Sequence, residues 1–129
     1  MIRELKVGTQ VVALLLDTVD IDFGAYPVSD QSAPLQAVMM KRETGYVVSK
    51  HAHRTMERVT HARQKAIVVV AGEMLVTVCT TVGVDAHPVM LKAGQCLYLV
   101  QGGYKIEMQT DCKFFEFKNG PHIEDKIAL

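Results

Sequence analysis

The chain has 129 residues, 49% of them apolar, and its 14 basic and 14 acidic side chains cancel to a formal net charge of zero. That length holds one domain, residues 1–129, around one core, and the apolar share excludes global disorder. The charge balance excludes the footprint of a general nucleic-acid binder; no apolar run is long enough to cross a bilayer as a helix; and three widely spaced cysteines with no Cys-x-x-Cys pair exclude a zinc knuckle or a disulfide framework.

In chain order, the first apolar run is Val11–Leu16, closed by Asp17. It lacks a small-residue cleavage site after it, so no signal peptide is read and a cytoplasmic location is expected. Strands are predicted over Gln10–Leu16, Ile21–Tyr26 and Leu35–Lys41, with Ser29–Pro34 as a loop between the last two. A further strand is predicted over Tyr46–His53. Thr55–Arg63 holds too few apolar positions for more than a turn of helix. Ala66–Ala71 is a run of Ile and Val broken by Gly72-Glu73. Met74–Thr80 follows, with Met74, Val76 and Val78 on one face and Leu75, Thr77 and Cys79 on the other. Val89–Leu91, Cys96–Val100, Tyr104–Gln109 and Cys112–Lys118 complete the set, each bounded by turn residues. Short strands with a turn signal every eight to twelve residues predict an all-β sandwich or closed barrel. Cys79 and Cys96 lie inside apolar runs and read as small buried hydrophobes.

Three constellations stand out chemically. His51 and His53, two apart on the predicted strand Tyr46–His53, would share a face and make half of a metal site. Lys50, Arg54, Arg58, Arg63 and Lys65 crowd a stretch whose only acid is Glu57, a patch suited to an anionic ligand or to a solvated face. Glu116 lies among Phe114, Phe115 and Phe117; if it faces inward it needs a partner, and it becomes a candidate acid or base. Lys118-Asn119-Gly120-Pro121-His122 reads as a turn.

Gly45-x5-His51-Ala52-His53-x3-Glu57 resembles the first motif of the cupins. Gln64–Met74 is similar to the cupin strand that follows, with its Gly-Glu hairpin, and Gly94-x5-Val100-Gln101-Gly102-Gly103-Tyr104-Lys105 resembles the second motif. Pro34-Leu35-Gln36, Glu57-Arg58, Glu116–Pro121 and Asp125-Lys126 extend the resemblance to small stand-alone bacterial cupins linked to sugar and polysaccharide biosynthesis. It implies a double-stranded β-helix (jelly-roll) barrel, a small-molecule ligand and a homodimer paired through edge strands, for which Gln10–Leu16 is the candidate.

The cupin metal set would be two first-motif histidines, a glutamate seven residues before the hairpin glycine, and a second-motif histidine. Here Lys65 stands seven before Gly72, and Tyr104 or Lys105 stands where the last histidine would fall. An ammonium beside a divalent ion is repelled and ligates only after losing its proton. A divalent metal is therefore disfavoured, and His51, His53 and Glu57 remain as a partial ligand set. The alternative expectation is that Lys65 supplies the cavity's positive charge, with Tyr104 giving a hydroxyl and Arg58 and Lys105 adding ligand contacts; Lys65 pointing outward or pairing with Glu116 stays open. The expected function is binding of, or proton-transfer chemistry (isomerisation or epimerisation) on, an anionic or carbohydrate-like metabolite, with His51, His53 and Glu116 as candidate acids and bases. A non-catalytic binding or sensing module is the alternative, and a metal-dependent dioxygenase the least favoured reading.

Overall fold

A computed structural model describes residues 1–129. Ten strands form: β1 (Ile2–Val7), β2 (Gln10–Asp17), β3 (Gly24–Pro27), β4 (Val38–Lys41), β5 (Lys65–Ala71), β6 (Glu73–Cys79), β7 (Val89–Lys92), β8 (Gln95–Leu99), β9 (Gly103–Met108) and β10 (Lys113–Lys118). They build antiparallel sheets in the orders β1-β2-β8-β5-β10 and β7-β6-β9, with β3-β4 as a separate hairpin. The protein is all-β, and no sheet closes on itself.

The two larger sheets share one core. Ala13 and Leu15 of β2, Ile67 and Val69 of β5, and Leu97 and Leu99 of β8 meet Met74, Val76 and Val78 of β6 and Val89 and Leu91 of β7. The alternation read along Met74–Val78 is realised, since all three of those side chains are buried. Complete burial of a Val or Leu contributes about 1.5–3 kcal/mol, so this seam holds the fold.

β8 is apolar on consecutive residues because both of its faces are covered. Leu97 and Leu99 enter the shared core, while Cys96 and Tyr98 turn to the other side and pack with Leu16, Met39 and Leu35 in a second cluster. Gln64 closes that cluster: its Oε1 accepts from the Tyr98 hydroxyl at 2.7 Å and from Leu35 N–H at 3.2 Å, and its Nε2 donates to Val100 O at 3.2 Å. A buried amide is tolerable only when so satisfied.

Gly72 sits at φ 90° between β5 and β6, where a Cβ would run into the Asp111 carbonyl. These strands belong to different sheets. Gly72-Glu73 is thus a corner that carries the chain across the core, and not the hairpin expected of it. Gly102, at φ 79°, turns the same kind of corner from β8 to β9, against the Cys79 carbonyl.

Two further expectations need correction. The strand predicted over Tyr46–His53 does not form; residues 42–64 contain no strand, and the only backbone hydrogen bond beginning or ending on 46–53 is the turn from Tyr46 N–H to Glu43 O at 3.2 Å. A strand needs a neighbour for its N–H and C=O groups, and none lies alongside. Gln10–Leu16 is not an edge, because β2 lies between β1 and β8. The edge is instead β1, hidden in the sequence by Arg3, Glu4 and Lys6; only Leu5 of that strand is buried.

Candidate functional site

Lys65 opens β5, paired on one side with Leu99 and on the other with Lys118. Period-two alternation puts it on the same face as Ile67 and Val69, looking between the sheets where the core ends. Two side chains receive it. Glu116, on β10 opposite Ile67, places Oε1 2.6 Å from the Lys65 ammonium. Tyr104, on β9 opposite Val78, accepts a hydrogen bond from the same ammonium through its hydroxyl, and Nζ lies 4.9 Å from the Tyr104 ring centroid.

Only 15% of the Lys65 side chain is exposed, against 36% of the Glu116 side chain. Burial alone would lower the Lys65 pKa, but the hydrogen bonds and charges of Glu116 and Tyr104 outweigh it and raise the pKa above the ordinary value. The Lys65 ammonium, as hydrogen-bond donor, holds the Glu116 carboxyl below the usual carboxylate range against the opposing effect of burial. Both groups are ionised near neutral pH, and the pair contributes no net charge.

A cleft of about 950 Å³ opens beside this group, with Lys65 and Tyr104 in its wall. Arg63, Lys105 and Lys118 add positive charge, Asp85 and Thr77 add polar contacts, and the C-terminal stretch from His122 to Leu129 runs along one side. The tail brings Glu124, Asp125 and Lys126, so the cleft is mixed in charge.

The structure brings together Lys65, Tyr104, Lys105 and, behind Lys65, Glu116. It does not bring His51, His53, Glu57 or Arg58 to them: all four are exposed on the connection 42–64, and none lines the cleft. The His51 and His53 rings meet edge to face at 5.4 Å, with His51 Nδ1 2.7 Å from Ser49 O. No three His, Cys, Asp or Glu side chains gather as a metal site would require. Lys65, which the resemblance would set where a glutamate ligand stands, is engaged as a donor to Glu116 and Tyr104, so these residues do not fit a metal set of that kind.

Several residues escaped the sequence reading as a site. Lys118 lies two positions beyond Glu116, so strand periodicity alone places it on the same face. Asn119 is a staple: its Oδ1 accepts from Gln64 N–H at 2.7 Å and its amide donates to Ala62 O at 2.9 Å, fixing the approach to Lys65. The cysteines are free; Cys79 is buried, and burial pushes the Cys96 thiol up to about 11, so it is no nucleophile. Compared with models of known families, with curated proteins and with solved structures, the chain finds no match.

Proposed function

We propose that this chain is a small-ligand-binding protein of the cupin type, a jelly roll whose cleft takes an anionic, carbohydrate-like metabolite. The observation that carries the reading is Lys65, a mostly buried cation held by Glu116 and Tyr104 in the wall of the 950 Å³ cleft. Such a group is oriented before a ligand arrives, which lowers the ordering cost of binding. Arg63, Lys105 and Lys118 supply further donors for phosphate or carboxylate oxygens. Two facing antiparallel sheets, with the chain crossing between them at Gly72 and Gly102, support the jelly-roll architecture.

The geometry argues against Glu116, His51 and His53 as the groups that would move a proton. Proton abstraction beside a carbonyl needs a base with a pKa near the working pH. Glu116 is held low by Lys65, which makes it a weak base, and His51 and His53 lie outside the cleft, so the imidazole left in its wall is that of His122.

A thermal-shift screen comparing sugar phosphates and nucleotide sugars with neutral sugars tests the proposal. Anionic sugars should raise the melting temperature as ligands that bind only the folded state do. Lys65→Met should abolish the rise, while His51→Ala with His53→Ala should leave it unchanged. No rise at millimolar ligand, or one lost with the histidines and kept without Lys65, would refute it. A turnover assay on any hit separates a binder from an isomerase.

A further inference from the structure

One side of the cleft is built unlike the others. Lys65, Thr77, Tyr104 and Lys105 reach it from strands paired with their neighbours, whereas residues 122–129 form no strand. The last hydrogen bond that ties the chain down is the one Arg63 Nη2 donates to Pro121 O at 3.3 Å. Beyond it no hydrogen bond joins residues 122–129 to the rest of the molecule, and neither Glu124 nor Asp125 is ion-paired. Local stability follows buried contacts and backbone bonding, so this is the wall that moves at least cost.

What seats the segment is Leu129. A Cβ on Gly103 would stand 2.8 Å from Leu129 Cδ1, nearer than the 3.2 Å to Cys79 Sγ, and one on Gly83 would stand 3.8 Å from Leu129 Cβ. Gly103 opens β9 opposite Cys79 without a positive φ, so its backbone does not call for glycine. A glycine in a strand weakens it and marks a close approach; here Leu129 makes that approach. The seat is shallow, since Leu129 stays 63% exposed and Ile127 78%.

Charge sets what the segment does there. The strands and loops before it bring Arg63, Lys105 and Lys118 to the cleft against Asp85, with Lys65 already balanced by Glu116. The segment adds two carboxylates, Glu124 and Asp125, and one ammonium, Lys126. An anionic ligand therefore meets a more favourable wall once the segment leaves, and until then the segment's carboxylates are drawn to the cations that the ligand would use. Its base is fixed by the Asn119 staple and by Arg63 on Pro121. A tether that short gives an effective concentration of about millimolar, so a weak contact suffices to hold the segment in place.

We infer that residues 122–129 are a built-in competitor: a strap that lies in the cleft through Leu129, keeps its carboxylates near the cations of the site, and is displaced when an anionic ligand binds. The inference rests on the ligand reading proposed above and adds its regulation. With so slight a hold the open state is an accessible population, on the order of 10–30%, and the strap weakens binding by the inverse of that fraction, about 3- to 10-fold.

Isothermal titration of the full chain with glucose 6-phosphate and with UDP-glucose tests it, together with backbone amide relaxation of residues 123–128. Leu129→Gly, which removes no charge, should tighten binding about 3- to 10-fold, and Glu124→Gln with Asp125→Asn should do likewise. These side chains lie outside the buried core, so the variants keep the fold. Without ligand, residues 123–128 should be more rigid in the wild-type chain than in Leu129→Gly, and ligand should bring the wild-type segment to the mobility of the variant. Tightening by the carboxylate substitutions alone is simple charge removal and overturns the strap. So does weaker binding by Leu129→Gly, as a clamp over the ligand would give, or a segment equally mobile in both chains without ligand. Binding of equal strength by all three chains overturns the strap and leaves the ligand reading standing; no binding of either probe by any of them refutes the ligand reading, and the strap with it.

Discussion

Val68-Val69-Val70 and Tyr46-Val47-Val48 are similar in apolar content and β propensity, yet only the first becomes a strand. β5 lies between β8 and β10, so its backbone groups are paired on both sides, and Ile67 and Val69 are buried beneath it. Val47 and Val48 are 76% and 71% exposed and have no strand alongside. A strand is a relation between neighbours, and a run of β-branched residues is only a candidate for it. The same contrast divides the candidate site: residues on β5, β9 and β10 converge, and those on the connection 42–64 stay in solvent.

Four substitutions sharpen or break this comparison. The largest effect belongs to the shared core: Leu91→Ala, at a fully buried position, should cost about 2–5 kcal/mol in urea unfolding. A loss below 1 kcal/mol would mean that the sheets do not share a packed seam.

Next is the Lys65–Glu116 pair. Glu116→Gln leaves a mostly buried ammonium without its carboxylate and should lower stability by roughly 1–2 kcal/mol, less than a fully buried pair would lose because Glu116 is partly exposed. The pH dependence has a definite sign. The folded Glu116 pKa lies below its ordinary 4.5, so its contribution is present above that value and fades as pH falls through the folded pKa. The folded Lys65 pKa lies above 10.5, so its contribution is complete below that value and fades as pH rises through the folded pKa. Glu116→Gln should therefore flatten the acid limb of stability below about pH 5; an unchanged limb would assign it to other carboxylates.

Asn119→Ala, which orphans the Gln64 N–H, should cost about 1 kcal/mol. It should also loosen the approach to Lys65, visible as faster amide exchange at Gln64 and Lys65. Val47→Ala is expected to be the smallest change, within about 0.5 kcal/mol, as for an exposed side chain. A loss of 2 kcal/mol there would show that the connection is buried in solution, and would shift the comparison from sheet against loop to one sheet against another.

Nine of the ten strands were legible in the sequence, their ends shifted by a few residues for most and trimmed at Ile21–Tyr26 and Leu35–Lys41. β1 was hidden because an edge strand gains only Leu5 for the core and spends its other positions on charge. The alternation along Met74–Cys79 was legible because side-chain direction follows strand period with no further information. Glu116 was legible as an oddity, a carboxylate inside an apolar strand, whereas Lys65 stood out only in the basic cluster and through the cupin resemblance.

The order of residues alone determined an all-β chain, its turns and its buried alternation, since those depend on contacts along a strand and on the cost of placing polar groups in a core. Tertiary structure alone decided that Lys65 meets Glu116 and Tyr104, that His51 and His53 stand apart from them, and that Gly72 turns a corner between sheets. Those outcomes depend on which strands become neighbours, and hydrogen-bond partners more than 30 residues apart carry no local signature.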